Sequence, residues 1–120
     1  GLGAVHSMSH ALGADQELRL HHGTLNGVIL PTILRFNKDH VGNKYSKISR
    51  AMGKDESTDL AEEIERLNKE IGLPSGLREM GVTEDMIPHL VRHSMTDPSN
   101  ATTPRLPSQE EWEKLFLAAM

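Results

Sequence analysis

Residues 3–26 read GAVHSMSHALGADQELRLHHGTLN, and four of the chain's seven histidines fall among them: His6, His10, His21 and His22. His6 and His10 are four positions apart, so on a helix their imidazoles leave the same face about one turn from each other. Gly3, Ala4, Ser7, Ser9, Ala11, Gly13 and Ala14 surround them with small side chains. Such residues let neighbouring backbones approach closely and leave space beside the imidazoles for an ion or a ligand. A polar excursion, Asp15 to Arg19, then lets the chain turn back before His21 and His22. The stretch predicts helix, surface loop and second helix, with histidine on both sides. That arrangement can build a metal site. Spacing alone favours a helix that happens to carry histidines, because a lone pair binds nothing without further ligands.

Working outward, the first helix covers residues 2–13 and ends near Gly13. A second begins at Gly23 or Thr24, with Thr24 able to cap it. Leu25, Val28, Ile29, Ile33, Leu34 and Phe36 cover more than one of its faces, which predicts a central, buried helix. Pro31 should kink it, since proline removes an amide donor and its ring clashes with the carbonyl four residues earlier. Asn26 stands alone as a polar residue in that company; bonding to a neighbouring backbone group is the favoured reading, shaping a ligand cavity the other.

Asn43–Met52 reads as a short helix with Tyr45, Ile48 and Met52 on one side, ended by Gly53. Ser57 or Thr58 starts the next, where Leu60, Ile64, Leu67 and Ile71 make an amphipathic stripe. The pairs Glu62–Arg66, Glu65–Lys69 and Glu63–Arg66 mark its other side as a solvated face. Gly72 and Pro74 stop it, and Leu77–Met80 makes one further turn before Gly81. Thr83 or Asp85 opens a helix through Met95, with Pro88 near its first turn. His89 and His93 repeat the four-residue spacing there, but in ordinary amphipathic surroundings they read as surface histidines.

Asp97–Pro107 is a loop with three prolines. Its Asn100-Ala101-Thr102 is a nominal glycosylation acceptor, read as accidental. Ser108 and Glu111 form a capping box for a last helix, which Trp112, Leu115, Phe116 and Ala119 dock to the rest. No convincing strand and no repeat appears. The fold class is all-α, a multi-helix, bundle-like single domain over residues 1–120.

Composition narrows the function. A chain of 120 residues can bury roughly two-thirds of its unfolded surface, enough for an independent core. There are 17 acidic and 13 basic residues, a net charge of −4, and no basic block, which argues against a nucleic-acid partner. The absence of cysteine excludes disulfides, thiolate zinc sites and thiol nucleophiles, so any metal must be held by His, carboxylate or water. The longest apolar stretch, Val28 to Leu34, is interrupted by Pro31 and too short to span a bilayer. With no basic n-region or apolar h-region at the start, the sequence reads as cytoplasmic.

GAVHSMSHALGA followed by HHGTLNGVILPTILRFN closely resembles the second signature of the iron-containing (group III) alcohol dehydrogenases, of the dehydroquinate synthase-like superfamily. The likeness continues through KYSKISRAMG, EIGLPSGLREMGVTEDMIPHL and DPSNATTPR. It covers nearly the whole chain, in order, and corresponds to the C-terminal, helical half of such an enzyme. The N-terminal nucleotide-binding domain is then the missing partner, and self-association through its bare docking face is expected.

The resemblance implies hydride transfer between a small alcohol or carbonyl substrate and NAD(P), with Fe²⁺ or Zn²⁺ as Lewis acid. It also selects among the histidines. Spacing nominates His6 and His10 as joint ligands; the resemblance implies His6 and His22 as metal ligands, with His10 lining the active site near the nicotinamide. The segment between His10 and His22 is about two residues longer than the commoner family form. Counting forward by the usual spacing lands on Leu20, which cannot bind a metal, whereas aligning on HHGTLN gives His22, with His21 as the fallback. An Asp and a His from an upstream helix would complete the shell, and NAD(P) would be bound only in the full-length enzyme. The fragment alone is expected to be inactive. The alternative function is a non-catalytic helical interaction module with incidental histidines.

Overall fold

A computed structural model describes residues 2–120; Gly1 lies outside them. Its helices are α1 (Ala4–Gly13), α2 (His22–Asn37), α3 (Lys44–Ala51), α4 (Leu60–Glu70), α5 (Ile87–Met95) and α6 (Gln109–Ala119). Short 3₁₀ turns at Lys38–His40, Leu77–Met80, Glu84–Met86 and Pro98–Thr102 connect them, and no strand occurs among the described residues. None of the described helices is long and apolar enough to cross a membrane.

The small residues of the opening stretch place α1 at the centre. Ala4, Ser7, Ser9 and Ala11 are buried, and α1 packs between α2 and α5. In turn, α2 also meets α4 and α6, and α5 meets α6. Met8 and Leu12 of α1, Leu25 and Ile29 of α2, Leu77, and Trp112 and Phe116 of α6 are fully enclosed. Each large side chain of this core contributes about 1.5–3 kcal/mol of transfer free energy.

Several boundaries differ from expectation, each for a local reason. α2 starts at His22, because His21, not Thr24, is its N-cap: its Nδ1 accepts from the Thr24 amide at 3.4 Å. α4 starts at Leu60, because the Asp59 carboxylate, and neither Ser57 nor Thr58, accepts from the amides of Ala61 and Glu62 at 3.0 and 3.2 Å. A carboxylate there also complements the helix dipole. Residues 84–86 tighten into a 3₁₀ turn before α5 begins at Ile87. The Ser108–Glu111 capping box forms as read.

Two faces also differ. On α3 the buried residue is Ser49, while Ile48 is 43% exposed. On α4 the stripe leaves the core toward its C-terminal end: Leu60 is buried, Ile64 half-buried, and Leu67 and Ile71 exposed. The charged face of α4 is not only solvated. Glu65 takes a bidentate pair from Arg35 of α2 at 2.6 and 2.8 Å, and Glu63 pairs with both Arg66 and Lys54.

Candidate metal centre

Three imidazoles meet along one face of α1. The rings of His6 and His22 lie 5.4 Å apart between centroids, His10 and His22 5.5 Å, and His6 and His10 5.8 Å. α1 presents His6 and His10 one turn apart, and the first residue of α2 brings His22 across to them. The longer 15–19 segment fits between the helices by turning on itself: Asp15 Oδ1 accepts from the amides of Glu17 and Leu18, and Arg19 adopts a left-handed φ of 47°. His22 is exposed and His6 and His10 are half-buried, so the cluster faces outward.

Two of the rings are tethered, each differently. His10 Nδ1 lies 2.9 Å from Asp97 Oδ2. His22 Nε2 faces the Asn26 amide nitrogen at 3.1 Å, and its Nδ1 makes a long 3.5 Å contact with Ser9 Oγ. Ser9 Oγ donates to the His6 carbonyl at 3.1 Å, so toward His22 it can only accept. The consistent tautomer of His22 therefore carries its proton on Nδ1 and its lone pair on Nε2. His6 is held below the ordinary histidine pKa, first by burial and then by the His22 and His10 rings, with Asp97 opposing. A neutral imidazole is the form that binds a metal.

Among the described residues no group of three or more His, Asp or Glu side chains is arranged to hold an ion. His10 Nδ1 is turned to Asp97, and the three rings face one another. These residues fit a divalent ion nonetheless. The Asn26 amide that covers His22 Nε2 leaves its own Oδ1 buried and without a partner. An unsatisfied buried carbonyl is costly, and an ion taking the His22 lone pair would free that amide to turn.

Of the other residues weighed in the sequence, Asn26 serves His22 and not a backbone group. His21 sits beside the cluster as a helix cap, bonded to Thr24. His89 is exposed, whereas His93 is half-buried with its Nδ1 enclosed and unpartnered. Asn100 is consumed structurally: it accepts from Ser7 Oγ at 2.7 Å and donates to the Ser94 carbonyl at 2.8 Å. Sequence reasoning missed Asp97. Its only signal was the Asp-Pro step, which marks a cap, and nothing local connects it to His10.

The family model described as "Fe-containing alcohol dehydrogenase family, C-terminal" matches residues 1–120. The chain belongs to this family. It is 39% identical to 4-hydroxybutyrate dehydrogenase from Cupriavidus necator, over all of this chain and 33% of that protein. It is 33% identical to NAD-dependent methanol dehydrogenase from Bacillus methanolicus, again over all of this chain and 33% of the relative. Among solved structures it superposes on 1,3-propanediol oxidoreductase with a TM-score of 0.90 at 29% identity, covering 98% of this chain and 32% of that one. The chain thus spans about a third of the length of the curated relatives it matches, and that third is the C-terminal region of an iron-containing alcohol dehydrogenase.

Proposed function

We propose that this chain is the metal-binding helical part of an NAD(P)-dependent alcohol dehydrogenase that moves hydride between a small alcohol or carbonyl compound and the nicotinamide. The relatives' names, with 4-hydroxybutyrate, methanol and 1,3-propanediol among them, support that substrate class, and one of them is NAD-dependent. The observation that carries the reading is the approach of His22 to His6 from a different helix, with Asn26 standing where an ion would sit. In this proposal His6 and His22 hold Fe²⁺ or Zn²⁺, and a nucleotide-binding part outside this chain supplies further ligands and NAD(P). The ion supplies Lewis-acid stabilisation of charge on the substrate oxygen, and the nicotinamide supplies the hydride acceptor. The chain's own part is to keep His6 neutral, to fix the His22 lone pair, and to line the site with His10. A cytoplasmic setting and a homo-oligomeric assembly through exposed apolar residues such as Leu67 and Ile71 accompany this reading.

The test uses the full-length protein that carries this chain. His6→Ala and His22→Ala are expected to lose bound metal and turnover together, and His10→Ala to keep the metal while turnover falls. His21→Ala should keep the metal, because its ring serves the α2 cap. Wild-type protein with background metal content and no turnover on an alcohol panel would favour the interaction-module reading instead.

A further inference from the structure

Asp97 is the most enclosed acidic side chain near the cluster: its side chain is 5% exposed, against 37% for His10. Its two oxygens have separate tasks. Oδ1 accepts from the Ser99 amide at 2.8 Å and caps the Pro98–Thr102 turn, while Oδ2 faces His10 Nδ1 at 2.9 Å. Burial pushes this carboxyl up, but the Ser99 and His10 hydrogen bonds outweigh it and keep it below the usual range. An ionised carboxylate only accepts, so the proton of neutral His10 must sit on Nδ1, with the lone pair on Nε2.

The turn that carries Asp97 is itself fixed. Asn100, three residues on, bonds to Ser7 of α1 and to the Ser94 carbonyl, and Ser94 Oγ donates to the Ser7 carbonyl at 3.3 Å. The carboxylate is thus anchored to the helix whose histidine it faces. His10 stacks on His22, with planes 15° apart, so a rotation of His10 would disturb the neighbouring ring as well.

We infer that Asp97 is the positioning residue of the site: it locks His10 in the Nδ1–H tautomer and in its stacked orientation, so that Nε2 is the atom presented to the reacting partners. Its catalytic consequence rests on the function proposed above; the tautomer itself does not.

The two substitutions that keep the cap separate this role from a structural one. In Asp97→Asn, Oδ1 still accepts from Ser99, and the amide NH₂ replaces Oδ2, so a donor now faces His10 Nδ1. The His10 tautomer should invert to Nε2–H with little change in thermal stability. In Asp97→Ser the hydroxyl retains the cap but is too short to reach His10, and the ring should show mixed tautomers. Side-chain ¹⁵N spectra of histidine in the metal-free 120-residue chain read both directly. In the full-length protein Asp97→Asn should lower kcat by about 10- to 100-fold with KM little changed. A His10 signal identical in wild type, Asp97→Asn and Asp97→Ser would overturn the inference, as would an inverted tautomer with unchanged kcat. A wild-type enzyme without turnover would count against the proposed function alone, leaving the ¹⁵N spectra to decide what Asp97 does.

Discussion

Pro31 removes one amide from the middle of α2, and the carbonyl that this amide would have served belongs to Gly27. That carbonyl is not left bare: Asn68 of α4 donates its Nδ2 to it at 2.7 Å. Gly27 leaves room for the Leu73 side chain beside it, since a Cβ there would stand 2.7 Å from Leu73 Cδ1. The helix accordingly runs on through Pro31 to Asn37. Asn68→Ala should destabilise the chain by about 1–3 kcal/mol, the cost of an unpartnered carbonyl at a partly buried position. Asn68→Asp, which has no donor, should cost as much. Urea unfolding checks both, with Lys69→Ala as a surface control; an Asn68→Ala variant as stable as that control would refute the pairing. At this scale the sequence was readable only where the partner is local. Pro31 announced a broken hydrogen bond, and the Ser108–Glu111 box announced itself, but nothing near Asn68 or Asp97 points to residues 41 and 87 positions away. That His22 rather than His21 lies beside His6 was readable because HHGTLN aligns the motif, while the capping use of His21 was not, since histidine is an unusual cap.

Among the elements, α4 shows how periodicity can be right in kind and wrong in consequence. The stripe from Leu60 to Ile71 predicted a helix, and a helix is there. An amphipathic stripe implies a side turned to the core, yet Ile71 is 63% exposed, because α4 packs on α2 and leaves its C-terminal turn outside the core. What binds α4 to its surroundings includes its charged side. Hydrogen bonds from Arg66 and then Lys54 hold the Glu63 carboxyl down from an ordinary 4.5 to about 2. The folded state therefore favours ionised Glu63 more than the unfolded state does. Its contribution is fully present above pH about 4.5 and is lost as the pH falls toward 2. Thermal melts of wild type and Glu63→Gln should differ at pH 6, converge between pH 4.5 and 2, and differ less at high salt, where exposed pairs are screened. A gap between the two proteins that is the same at pH 6 and pH 2.5 would contradict this account.

For the whole molecule, the decisive feature is that the histidine cluster lies on an open face. The all-α arrangement was legible, because six helical segments with clear stops leave few ways to bury their apolar sides. The site was legible only in part, since its ligands are shared with chain that these 120 residues do not include in the proposed function. His6 and His22 offer two nitrogens where a divalent ion takes four or more ligands, and water must supply the rest on an exposed surface. The expected outcome is a chain that folds without metal, because its core of Met8, Leu12, Leu25, Ile29, Trp112 and Phe116 is complete without any ion. It should show a cooperative helical melt, a small metal-induced rise in Tm that His22→Ala abolishes, and no formation of NAD(P)H from any alcohol tested. Metal-dependent turnover by the isolated 120 residues would mean that the two imidazoles suffice, and that the nucleotide-binding part assigned to the rest of the enzyme is not needed for the chemistry.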